Sequence, residues 1–250
     1  MRYFFILFLT LTLGACSYKN PLSDMKFQTT PAPPYILANW YKIESLGSPL
    51  KVYIEGDGQA FDRFGQPTDN PTPKGTFLRK LAAHDPSSNV VYLARPCQFL
   101  KPNCTEEDWT TGRFSEKVIN SMDTELKSLM KKARTDKIIL IGFSGGAQVA
   151  GLLAVRHPNN TQKLITVSGV LDHQAWTEYH GDPPLTASIN LKDYQDELKK
   201  IPQTHYAGED DTVVPANLIQ DFAPDSTIVV SGATHDSGYS SIYDQIYEVK

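Results

Sequence analysis

The chain has only three cysteines among 250 residues, too few for a fold built on disulfides. Lysine and arginine never gather into a basic run, and the formal charge is −4. Phosphate backbones are held by a positive stripe, so nucleic acid is not expected as a partner. The longest apolar run, Phe4 to Leu13, falls short of the roughly 20 residues a membrane-spanning helix needs. No phosphate-binding P-loop, dinucleotide fingerprint or His-Glu-x-x-His stands in the sequence, and no second Cys or His pair accompanies Cys97 and Cys104. The chemistry is therefore expected to need neither cofactor nor metal. Repeats and low-complexity tracts are missing too. A hydrophobic share of 40% is enough for one full core, and one domain is expected.

The first sixteen residues read MRYFFILFLTLTLGAC. Arg2 followed by a short apolar core has the pattern of a cleavable secretory signal. Its end, Leu13-Gly14-Ala15-Cys16, resembles a bacterial lipobox. That resemblance implies cleavage before Cys16 and acylation of Cys16. Two or three acyl chains anchor a protein stably, at about 0.8 kcal/mol per buried CH₂. Ser17 rather than Asp after the cysteine implies sorting to the outer membrane of a Gram-negative cell, with the domain facing the periplasm. On this reading residues 1–15 are the signal, the polar, Pro-rich residues 16–34 are a lipidated tether, and residues 35–250 are the folded domain. In an exported chain Cys97 and Cys104, close together in a Pro-containing loop, are expected to form a disulfide.

Past the tether, apolar runs of strand length alternate with helix-like segments. Strands are expected at 51–54, 90–94, 137–142, 164–168, 204–207 and 227–230. Helices are expected at 74–83, 115–133, 147–157 and from about Tyr239. The segment Ile138-Ile139-Leu140-Ile141 is apolar throughout, as a central parallel strand must be. Alternation of this kind predicts an α/β fold with a mostly parallel sheet and helices on both faces. Ligands in such sheets bind beyond the carboxyl ends of the strands.

That strand runs into Gly142-Phe143-Ser144-Gly145-Gly146, a Gly-x-Ser-x-Gly that opens a helix of small residues. A serine on so sharp a turn stands out from the backbone as a candidate nucleophile. Its hydroxyl needs a base, and the base needs an orienting acid. Both follow in the chain. Gly208-x-x-Asp211-x-x-Val214-Pro215 places an acid after a strand, with Asp210 as the adjacent alternative. His235 follows the last strand. His84, His157 and His205 read as structural.

Together these segments resemble the α/β-hydrolase superfamily, from about Tyr35 to the end. The wider pattern, including IEGDG, YLARPCQ and LDHQAW, is similar to bacterial lipoprotein α/β-hydrolases. The resemblance implies an α/β-hydrolase fold with a small cap insertion and a triad of Ser144, His235 and Asp211. It also implies an oxyanion hole from the backbone N–H groups of Gly145 and of Asp57, with Gly58 as the alternative to Asp57. The family commonly has His-Gly-x where this chain has Glu55-Gly56-Asp57-Gly58. Residues 170–201 fall where related enzymes carry a cap, and His173 and Trp176 are candidate pocket residues there. The expected activity is hydrolysis of a small-molecule carboxylic ester through an acyl-enzyme. Acyl transfer and peptide hydrolysis use the same machinery, and a non-catalytic envelope binding protein on this scaffold is the alternative of a different class.

Overall fold

The structure is a computed structural model that describes residues 20–249. Eight strands form one sheet: β1 (Lys26–Ala32), β2 (Tyr35–Ile43), β3 (Leu50–Ile54), β4 (Asn89–Leu93), β5 (Ile138–Phe143), β6 (Thr161–Val167), β7 (Gln203–Gly208) and β8 (Thr227–Val230). Their spatial order is β1-β2-β4-β3-β5-β6-β7-β8. From β4 to β8 every neighbouring pair is parallel, whereas β1 and β2 run antiparallel at one edge. The α/β-hydrolase expectation is met.

Side chains alternate across the sheet and feed two cores. Leu50, Val52 and Ile54 of β3 face a layer made by α2 (Glu116–Ala133), α3 (Gly146–Arg156) and α6 (Ala216–Phe222). Tyr53, from the same strand, joins Ile139 and Ile141 of β5 on the other face, under α1 (Phe77–His84) and α7 (Tyr243–Tyr247). In α2, Val118, Ile119, Met122, Leu126 and Leu129 recur with the helix period and are all buried. The 170–201 segment holds α4 (His173–His180), a 3₁₀ turn (Leu191–Tyr194) and the short α5 (Gln195–Leu198).

The expected tether needs correction. Lys26–Ala32 is not a linker but the edge strand β1, paired with β2 from Lys26↔Tyr41 to Ala32↔Tyr35. Leu22, further upstream, is fully buried. An edge strand keeps much of its surface in water, so its sequence can be polar, and it tolerates Pro31. Cys16 and the rest of the signal and lipobox lie outside the described residues.

Candidate active site

Strand β5 delivers Ser144 directly. The serine has a left-handed backbone, φ 52°, in the sharp turn between β5 and α3. That conformation costs a non-glycine residue about 1–3 kcal/mol and is sustained by its surroundings. The Ser144 N–H donates to the Val167 carbonyl at 3.1 Å, and its own carbonyl accepts from Ala147 and Val170. Side chains are not tolerated around it. A Cβ on Gly142 would meet Ala147 Cα at 2.6 Å, and one on Gly146 would run into the carbonyls of Ile54 and Glu55. The Gly-x-Ser-x-Gly spacing is thus a steric requirement of this turn.

His235 arrives from the loop after β8. Its Nε2 lies 3.0 Å from Ser144 Oγ, and its Nδ1 lies 2.9 Å from Asp211 Oδ2. The loop is fixed from below: Ser168 Oγ donates to the His235 carbonyl at 2.7 Å. Asp211 is buried, and its other oxygen accepts the backbone N–H groups of Val213 and Val214 at 2.8 and 2.9 Å. Burial alone would raise the Asp211 pKa, but the bonds from His235 and these two amides hold it below the ordinary carboxylate value. Asp210 is exposed. The two acids are adjacent in the turn after β7, and Asp211 is the one bonded to the imidazole.

Beside the serine runs the segment after β3. Gly56 is occupied, since its N–H donates to Glu55 Oε1 at 2.9 Å. Asp57 lies against the turn so closely that a Cβ on Gly145 would collide with its carboxylate. That carboxylate is bound by Arg95 Nη1 and by Arg113 Nη1, the latter at 3.1 Å. Burial opposes its charge, but the two guanidinium groups keep its pKa below the ordinary value. The carboxylate beside the Ser144 turn is therefore held by two guanidinium groups rather than left as an unpaired negative charge. Glu55, buried, accepts from Tyr92 Oη at 2.6 Å, and burial raises its pKa despite that bond.

Ser144 and His235 open onto a cleft of about 370 Å³. Phe61, Phe77, Phe143, Trp176 and Val213 supply apolar walls, and Lys74 and Arg113 supply charge. Trp176 takes the place expected of it. Its indole N–H donates to the Val213 carbonyl at 2.8 Å, tying α4 to the acid loop. His173 does not line this cleft. It is buried behind it, its ring stacked on Phe114 with centroids 6.0 Å apart. As the first residue of α4 it faces the core, while Trp176, one turn on, faces the cleft. His84, His157 and His205 make bonds remote from the cleft, with the Lys80 carbonyl, Asp123 and Thr166. Burial alone lowers the His205 pKa to about 4. Cys97 and Cys104 are joined in a disulfide, as expected. Sequence reasoning missed Phe61 and Lys74, from the connection between β3 and α1, and Arg95 and Arg113, from that between β4 and α2, which share no spacing signal. Among the described residues no cluster of His, Cys, Asp and Glu could hold a metal ion.

A strained serine hydrogen-bonded to a histidine that is in turn held by a buried aspartate, at the carboxyl edge of a parallel sheet, defines a serine hydrolase. Residues 89–238, more than half of the chain, match the family model described as serine hydrolase (FSH1), and the chain belongs to that family. Curated proteins yield no match. Solved structures share the fold at low identity. Est1E from Butyrivibrio proteoclasticus, bound to ferulic acid, is 15% identical with a TM-score of 0.65, over 88% of this chain and 96% of that one. An esterase from Pyrococcus furiosus is 16% identical with a TM-score of 0.60, over 90% and 88%. A serine hydrolase without lid from Xanthomonas campestris is 12% identical with a TM-score of 0.56, over 88% and 92%.

Proposed function

We propose that this serine hydrolase cleaves a carboxylic ester through an acyl-enzyme, using Ser144, His235 and Asp211. The observation that carries this reading is the unbroken chain Ser144 Oγ, His235, Asp211, with both contacts at hydrogen-bond length. Ser144 Oγ attacks the ester carbonyl while His235 Nε2 takes its proton. Asp211 keeps Nδ1 protonated and stabilises the imidazolium. The N–H groups of Gly145 and Asp57 receive the oxyanion, each such donor being worth about 3 kcal/mol of barrier. The tetrahedral adduct collapses, and His235 passes its proton to the departing alcohol. Water, deprotonated by the same imidazole, then attacks the acyl-enzyme and releases the acid and free Ser144.

The lipobox-like Leu13-Gly14-Ala15-Cys16 supports a lipid anchor on Cys16, and Ser17 supports the outer membrane, with the domain in the periplasm. The apolar walls of the cleft, and the ferulic acid held by Est1E, favour a small-molecule ester over a polymer.

A fluorophosphonate tests the nucleophile without knowledge of the substrate. Wild-type protein should be labelled at Ser144, and Ser144→Ala should abolish labelling while keeping the native melting transition. Asp211→Asn should slow labelling by several orders of magnitude, of the order of 10⁴. Equal labelling of wild type and Ser144→Ala would remove the assignment.

A further inference from the structure

Apolar side chains stand in water around the mouth of the cleft. In the connection from β3 to α1, residues 61–67 fold back on themselves. Phe61 pairs with Pro67, and the Asp62 N–H donates to the Gln66 carbonyl at 2.8 Å. Asp62 Oδ1 accepts the N–H groups of Phe64 and Gln66 at 2.8 and 2.9 Å, and Gly65 turns the chain with φ 75°. These bonds fix a small hairpin with Phe64 at its tip, 71% exposed, and Phe61 at its base, 38% exposed and lining the cleft. A second group comes from α4 and the acid loop. Trp176 and Val213 line the cleft, Val213 being 43% exposed, and Tyr179 continues the group at 57%. His180 ties it together: its ring lies 5.1 Å from that of Trp176 and 5.0 Å from that of Tyr179, and its Nε2 bonds the Val213 carbonyl at 2.9 Å. Arg113 joins the two groups, its guanidinium 5.5 Å from the ring centroids of both Phe61 and Trp176.

Apolar residues scattered singly over a surface are ordinary, but several strongly exposed ones around a single opening mark a contact surface. The Arg63 guanidinium covers part of the Phe64 ring, 4.6 Å from its centroid. Such a pair suits a membrane surface, where the ring enters the apolar layer while the cation stays with the headgroups. Tyrosine and tryptophan are the side chains enriched at that depth. The fold also begins close to this loop. Phe27, near the start of β1, has its ring 4.8 Å from that of Trp40, and Trp40 lies 5.0 Å from Phe99. The Phe99 N–H donates at 2.7 Å to Thr72 Oγ1, in the connection that carries the hairpin. Five residues separate the proposed lipid on Cys16 from the buried Leu22, so the anchor keeps this side of the domain near a bilayer.

We propose that the Phe64 hairpin and the Trp176–Tyr179 group dock the cleft mouth on a lipid bilayer, and that the ester cleaved is an acyl ester of a lipid in that bilayer. The acyl chain passes from the bilayer into the apolar cleft, and its ester carbonyl reaches Ser144 without first dissolving in water. A protein seated over the same rim would instead close the way to Ser144. The chain carries a formal charge of −4, so the contact rests on the rings rather than on attraction to an anionic surface. This inference rests on the hydrolase and anchoring readings above and specifies their substrate.

The test uses full-length protein in phosphatidylcholine vesicles, whose headgroups carry no net charge. A fluorophore attached at Phe64→Cys should be quenched by a nitroxide placed in the acyl region of the bilayer and protected from iodide in the water. The same fluorophore at Lys137→Cys, exposed at the opposite end of β5 from Ser144, should show the reverse. Replacing Phe64 and Tyr179 together with serine should lower turnover of a long-chain nitrophenyl ester dispersed in the vesicles by about tenfold or more. Turnover of a short-chain nitrophenyl ester dissolved in buffer should change by less than about twofold, since neither side chain lines the cleft. A Phe64→Cys fluorophore open to iodide, or a double variant that loses nothing on the dispersed ester, would overturn the inference and leave the hydrolase reading intact. So would a fluorophore shielded from both quenchers, which would assign the rim to a protein contact. Wild type inactive on both esters would remove both readings.

Discussion

Glu125 shows how much one buried side chain outside the cleft can govern. It is fully buried in α2, and its Oε1 accepts from Asn39 Nδ2 at 2.7 Å and Thr30 Oγ1 at 3.1 Å. Its Oε2 and Asn39 Oδ1 are both buried without partners. Burial pushes the carboxyl from 4.5 up to about 7, against the Thr30 bond and the Lys132 charge. A raised folded-state value means that the native state holds this proton more tightly than the unfolded chain does. The associated stability is fully present below pH 4.5 and is lost as pH rises through about 7. Glu125→Gln should therefore stabilise the protein by about 3 kcal/mol at pH 8, and by less than about 1 kcal/mol near pH 5. Denaturant titrations at the two pH values check this; a gain independent of pH would exclude an ionisable Glu125 as its source. Residues that meet through local turns were readable beforehand. Gly-x-x-Asp-x-x-Val-Pro distinguished Asp211 from Asp210 because the turn itself supplies the amides of Val213 and Val214 to the carboxylate. His173 was misplaced because it opens α4 one turn before Trp176, and at that end of the helix the neighbour is Phe114 rather than the cleft, which the sequence of α4 does not state.

At the scale of elements, the parallel strands were legible from their apolar runs, which are buried on both faces. The antiparallel pair was not: β1 is largely exposed and carries no apolar run, and β2, though mostly buried, breaks its apolar residues with Asn39 and Lys42. The loop of residues 95–104 is a further case, with a chemical consequence. Arg95 and Gln98 stand in it, and both grip the segment that carries the Asp57 N–H. Gln98 Nε2 donates to the Gly56 carbonyl at 2.7 Å, and Arg95 binds the Asp57 carboxylate. The Arg95 N–H donates to Gln98 Oε1 at 3.0 Å, so the two act as one brace. Cys97, Phe99 and Asn103 all have left-handed backbones in this loop, with φ of 72°, 64° and 61°. The Cys97–Cys104 bond, spanning Cα atoms 5.8 Å apart, closes the loop that contains them. Replacing both cysteines with serine should cost roughly 2–3 kcal/mol of stability by loop closure. It should also lower kcat about tenfold while KM changes little, because an oxyanion donor acts mainly in the transition state. Thermal melts and steady-state kinetics on the folded variant measure both effects. Lost stability with unchanged kcat would confine the disulfide to a structural role.

On the scale of the whole molecule, the corrected start of the domain changes how it would sit on a membrane. Leu22 is already buried in the fold, packed in the core under α1 and α7. With the proposed lipid on Cys16, only five residues would separate anchor from core, at most about 20 Å of extended chain. The domain would then be held close to the bilayer surface rather than on a long tether. The same residues protect the sheet. Seven residues of β1 cover the outer edge of β2, and Ser121 Oγ of α2 donates to the Ala32 carbonyl at 2.5 Å. Without β1, the edge of β2 would present unpaired N–H and C=O groups along Tyr35–Ile43, a template for pairing with another chain. Burial of Leu22 alone contributes about 2 kcal/mol. Two shortened proteins separate a tether from a structural strand. One that begins at residue 20 should melt and scatter light as the full-length protein does. One that begins at residue 35 should melt at a markedly lower temperature and associate in light scattering. If both behaved alike, residues 20–34 would be dispensable, as their polar, Pro-rich composition alone suggests. The pairing of β1 with β2 and the burial of Leu22 predict the opposite.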